Sequence, residues 1–146
     1  MTLIRKLAEA FRTKSYITIN LVLAFIIAIV FLYSAVFSPQ KNNYPVTCIH
    51  EKITGKPCVS CGLSHSFSLI IRGKIVEAHS WNPYGFRVFL FFLAQLLMRV
   101  VFSVLYLKEA EYRKQLVIYD ITGTIILFLI AFYPFLVYIF SSLIQA

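Results

Sequence analysis

The sequence predicts an all-α integral membrane protein, with three transmembrane helices plus an amphipathic or re-entrant helix in the first extracytoplasmic loop. Three observations carry this expectation. The 146 residues are 60% hydrophobic and only 14% charged, where a soluble domain averages about a quarter charged. Mean hydropathy is +0.79. Three apolar stretches are each long enough to cross a hydrocarbon core of roughly 30 Å. The formal charge of +8 does not point to nucleic acid. Its basic residues flank apolar runs instead of forming a stripe with interleaved aromatics, and that distribution sets membrane topology. The lipid bilayer is the expected partner, and residues 1–146 read as one membrane domain.

Met1–Lys14 is basic, with Arg5, Lys6, Arg12 and Lys14 against Glu9. Leu3, Leu7, Ala10 and Phe11 recur at helical spacing, as in a short interfacial helix, the alternative being a solvated, partly frayed tail. The first span is expected over about 16–37, a run without a charge. A cleaved signal peptide would have a shorter apolar region and an Ala-x-Ala-like exit, and Tyr33-Ser-Ala-Val-Phe37 offers none. Asn20 is the one strong polar side chain of this span.

Residues 38–82 form the long polar connection, which holds all three cysteines and all three histidines. Pro39, Pro45, Gly55 and Pro57 mark its first half as loop and turn. From Leu63 onward, Phe67, Ile70, Ile71, Ile75 and Ala78 fall at helical spacings and predict one amphipathic helix. On its opposite face, His65, Arg72 and His79 would lie close together, either as a solvated polar face or as a patch facing anions or headgroups. Asn82 is a suitable N-cap and Pro83 suits a first helical turn, so the second span is expected from about 83 to 107. Trp81 and Tyr84 fit the aromatic belt at a membrane boundary.

A charged turn, Lys108–Gln115, leads into a third span over about 116–144, where Pro134 removes the bond to the carbonyl of Ile130. Gln95 and Arg99 sit at i, i+4 on the second span, and Asp120 lies about one turn into the third from the same side. Antiparallel neighbours joined by a short turn place Arg99 and Asp120 at similar depth, so a helix-packing pair is expected, the alternative being an Arg99 that snorkels to the interface and an Asp120 left among the headgroups. Lys and Arg number four in the first fourteen residues, three in Lys108–Gln115, and five in the forty-eight residues of Ser38–Gly85. The denser segments belong in the cytoplasm, which leaves the cysteine loop and the carboxyl terminus outside.

Cys48, His50, Cys58 and Cys61 fall within fourteen residues. Three readings stand side by side. In an oxidising compartment, Cys48 pairs with Cys58 or Cys61 in a disulfide that staples the loop. Alternatively, Cys48, His50, Cys58 and Cys61 form a tetrahedral zinc set. The third reading is a thiol–disulfide oxidoreductase, in which Cys58 and Cys61 exchange disulfides with Cys48 and pass electrons to a quinone, helped by a helix N-terminus that stabilises a thiolate. No glycine loop for phosphate, no hydrolase triad order and no acidic metal cluster is evident. The chain is therefore expected to be non-enzymatic and without a cofactor: an accessory or scaffold subunit of a larger membrane complex, or a homo-oligomer. The aromatic residues Phe89, Phe91, Phe92, Tyr133 and Phe135 suit such packing.

Cys58-Val-Ser-Cys61-Gly-Leu-Ser-His-Ser-Phe67 resembles the motif of a family of short bacterial membrane proteins, the domain-of-unknown-function family numbered 2752. That pattern is broadly Cys-Pro-x-Cys-Gly-x-Thr-Arg-Ala, preceded by a Cys and a Thr-Gly and followed by a Gly and an Asn-Pro. Here Cys48, Thr54-Gly55, Gly73, Ala78 and Asn82-Pro83 match those outer elements. Val59 replaces the usual Pro, and Ser64-His65-Ser66 stands where Thr-Arg-Ala is expected. The resemblance implies a bacterial cytoplasmic membrane and supplies no activity.

Overall fold

The computed structural model describes residues 2–36 and 60–144. Five helices follow one another: α1 (Thr2–Val36), α2 (Leu63–Ile71), α3 (Ile75–Trp81), α4 (Gly85–Lys108) and α5 (Arg113–Ile144). The described residues contain no strand. Three segments are long and apolar enough to cross a membrane: Lys14–Val36, Gly85–Lys108 and Arg113–Ser141. Their outer surfaces are apolar, with Phe25, Leu32, Val36, Leu97 and Phe140 all exposed. In water such a surface is unstable, whereas in hydrocarbon it is solvated. This is a multi-pass membrane architecture.

The first helix differs from the expectation of a separate interfacial segment. Nothing between Arg12 and Tyr16 breaks a helix, and α1 runs unbroken from Thr2 into the span. The third spanning helix likewise begins earlier than expected, at Arg113, and continues through Pro134. Helix α4 is central, packing against α1 on one side and α5 on the other. At the end of the bundle where α1 stops and α4 starts, α2 and α3 pack on each other and against α4, and α2 also packs on α1. Phe67 of α2 meets Phe89 and Phe92 of α4 edge-on at 5.4 and 6.0 Å between ring centroids.

The expected single amphipathic helix is two helices. Gly73 adopts a left-handed φ of +77°, which a residue with a side chain rarely takes. The Lys74 N–H donates to Leu69 O and the Gly73 N–H to Ile70 O, each at 2.9 Å. Those two bonds close α2 with a Schellman motif and reverse the chain into α3. His65, Arg72 and His79 consequently do not share one helix face.

Candidate functional site

Two polar constellations organise this molecule, one inside the spans and one at the end where α2 and α3 sit. Counting inward from the terminal cation of each span, Asn20 lies six residues from Lys14, Asp120 seven from Arg113 and Arg99 nine from Lys108. At 1.5 Å per residue these side chains stand about 9–14 Å deep, where an unpaired charge is costly. The fold brings them together. Arg99 Nη1 donates to Asp120 Oδ2 at 3.1 Å, and Nη2 donates to Asp120 Oδ1, a bidentate pair. Nη1 also donates to Asn20 Oδ1 at 2.8 Å, while Nη2 donates to Thr124 Oγ1 at 2.8 Å and Gln95 Oε1 at 3.3 Å. The Tyr16 hydroxyl donates to Asp120 Oδ2 at 2.7 Å. Side chains from all three spanning helices thus converge on one neutralised charge pair, with Arg99 7% and Asp120 2% exposed. Its chemistry is that of a lock, since the carboxylate is engaged by donors from two other helices.

Toward the α4–α5 turn, Tyr16 and Tyr106 rings lie 4.3 Å apart. Arg113 sits over the Tyr106 ring at 5.2 Å and donates from Nε to Tyr106 O at 3.2 Å.

The second constellation is a clasp around Asn82, which is 2% exposed. Its Nδ2 donates to Cys61 O at 3.0 Å, and its Oδ1 accepts from the Tyr84 N–H at 2.9 Å. One amide therefore ties the start of α2 to the start of α4. Gly62, in the left-handed region at φ +78°, lies so close to Trp81 that an added Cβ would stand 2.6 Å from the Trp81 carbonyl oxygen. Gly85 is tighter still, with its notional Cβ 2.0 Å from Ser66 Oγ. At the other end of α2, Arg72 donates from Nη1 to Ser34 O at 3.3 Å and from Nη2 to Ala35 O at 2.9 Å. These are carbonyls left over in the last turn of α1, where a cation also complements the helix dipole. Arg72 further donates to Ser68 O at 2.8 Å and to Ser68 Oγ. Asn82 and Arg72 together fasten the α2–α3 pair to both neighbouring spans.

Residues 48–96 match the family model DUF2752, described as a protein of unknown function. No curated protein and no solved structure matches the chain. The matched stretch runs from Cys48 into the middle of α4, so it contains the Asn82–Cys61–Gly62–Gly85 clasp, Arg72 and Gln95. Arg99, Asp120 and Asn20 lie beyond it.

Of the residues singled out by sequence, Cys48, His50 and Cys58 lie outside the described residues, so the disulfide, zinc and exchange sets fall there too. Cys61 directly precedes Gly62, the N-cap of α2, and is partly buried. His65 stacks on Trp81 with ring centroids 4.3 Å apart and planes 8° from parallel, whereas His79 is exposed on α3. Arg72 serves the carbonyls of α1. Asn82 bonds the turn that leads into α4 and closes α3, while Tyr84 occupies the N-cap position of α4 and Pro83 lies in the turn between. Sequence reasoning missed Tyr16 and Thr124 as members of the buried network, although Thr124 at i+4 from Asp120 was a readable signal. The Arg72 contact to α1 had no sequence signal, because it depends on where the end of α1 meets α2.

Removing the Asn82 side chain strips a partner from the Cys61 carbonyl and another from the Tyr84 amide. Asn82→Ala is expected to cost about 1–3 kcal/mol and to speed amide hydrogen exchange over residues 60–66 ahead of the spans. Uniform exchange across the molecule, or none beyond the parent rate, would contradict the clasp.

Proposed function

We propose that this chain is a non-enzymatic membrane scaffold subunit, whose clasp holds α2 and α3 as a fixed docking surface for other membrane subunits or a second copy. The observation that supports it is the double fastening of α2–α3, by Asn82 to the start of α4 and by Arg72 to the last carbonyls of α1. Such rigidity suits a surface that must keep its shape. The buried charge pair supports it as well, because its groups are engaged in joining helices. In this reading Cys48 bonds to Cys58 or Cys61 and the site holds no cofactor. The chain lies in a bacterial cytoplasmic membrane with its amino terminus inside, following the density of Lys and Arg.

The test is size-resolved purification in mild detergent, with intact mass after thiol alkylation without reductant. A stable particle larger than one chain, with one alkylated cysteine per chain, is expected. A lone monomer at every concentration removes the scaffold reading. A zinc-loaded thiol set, or mixed disulfides trapped on Cys58 or Cys61, would replace it with a metal site or a thiol–disulfide exchanger.

A further inference from the structure

All three spans end in a cation at the same end of the bundle: Lys14 of the first, Lys108 of the second and Arg113 of the third. Tyr106 lies among them, buried, with Tyr16 on one side and Arg113 on the other. Arg113 differs from an ordinary snorkelling side chain in being held. Its Nε donates to Tyr106 O and its Cζ lies over the Tyr106 ring, while its two terminal amino groups have no partner among the described residues. A guanidinium fixed through Nε presents its remaining N–H groups as a fork suited to two oxygens of a phosphate or carboxylate.

The surrounding charges do not satisfy that fork. Glu109 and Glu111 in the adjoining turn are exposed, and neither forms an ion pair among the described residues. Arg113 and Lys114 also open α5 with no acidic residue in its first turn, where the helix dipole disfavours cations. Among the described residues, no carboxylate therefore pairs with Arg113. Exposed apolar side chains, Leu107 of α4 and Ile118 and Tyr119 of α5 among them, also mark this end of the bundle, which suits an occupant with a phosphate at the span boundary and acyl chains along the helices.

We propose that Arg113, with Lys14 and Lys108, binds the phosphodiester of an anionic phospholipid at the boundary of the leaflet that surrounds the α4–α5 turn. This is independent of the scaffold reading, since it uses the opposite end of the bundle from the clasp.

Native mass spectrometry of the full chain in detergent tests it, titrating phosphatidylglycerol against phosphatidylcholine of the same acyl chains. Phosphatidylglycerol is expected to be retained preferentially, and Arg113→Gln to weaken its retention about five-fold, the effect of one cation at a membrane surface. Lys14→Gln and Lys108→Gln, which leave the Tyr106 contact intact, are expected to weaken it by a similar factor each. Lys74→Gln, an exposed cation at the other end paired with Glu77, should leave retention unchanged. Equal retention of the two lipids overturns the proposal, as does a Lys74→Gln loss matching that of Arg113→Gln. Displacement of phosphatidylglycerol by millimolar inorganic phosphate would overturn the lipid in favour of a free anion.

Discussion

Asp120→Leu is expected to destabilise the protein by about 3–5 kcal/mol, the largest effect of any single substitution considered. The size comes from what is left behind. Arg99 is 7% exposed and would keep Asn20, Gln95 and Thr124 as neutral acceptors, with no carboxylate to balance its charge. Hydrogen bonds between spanning helices average only about 0.6 kcal/mol each, so the uncompensated charge dominates. Tyr16 also loses its acceptor on Asp120, which loosens α1 as well as α5. The double variant Arg99→Met, Asp120→Leu removes both charges and is expected to recover most of the loss. Equilibrium unfolding in mixed micelles decides this. A single variant within about 0.5 kcal/mol of the parent, or a double no more stable than Asp120→Leu, would show that the pair does not hold the helices.

Gly85→Ala is the second large effect. The added methyl would stand 2.0 Å from Ser66 Oγ and 2.6 Å from Ser66 Cβ, so turning the hydroxyl aside leaves the Cβ clash in place, at a residue that is 0% exposed. The start of α4 and the middle of α2 would have to separate, at an overpacking cost of about 1–3 kcal/mol. Combining Gly85→Ala with Ser66→Gly removes the obstructing side chain and is expected to restore part of the thermal midpoint. Gly73→Ala provides the contrast. Nothing lies within 4 Å of its notional Cβ, so its cost is the left-handed backbone alone, about 1–2 kcal/mol. An unchanged midpoint for Gly85→Ala would mean that α2 does not pack as closely on α4 as described.

The two sites differ in how far they could be read from the chain. Membrane depth is nearly one-dimensional, because helices rise by a constant increment and charges mark where spans end. Counting inward from span limits near 107 and 116 therefore placed Arg99 about two turns and Asp120 about one turn deep, close to one level. The same count from Lys14 brings Asn20 there, but adjacency also requires a particular rotation of α1 about its axis. The clasp is different in kind. Asn82 carried a cap signal, yet its two bonds reach Cys61 and Tyr84, and only the reversal at Gly73 returns α3 to the start of α2.

By itself, then, the sequence determined three membrane-crossing helices, their approximate limits and the shared depth of the buried charges. Those follow from local hydrophobicity, helical rise and the cost of charge in hydrocarbon, none of which needs a distant partner. Tertiary structure alone decided that α2 and α3 are separate helices, that Arg72 serves the open carbonyls of α1, and that Gly85 admits Ser66. These depend on contacts between segments far apart in the chain, such as Arg72 with Ser34, where a distance of a few ångströms has no counterpart in composition or period.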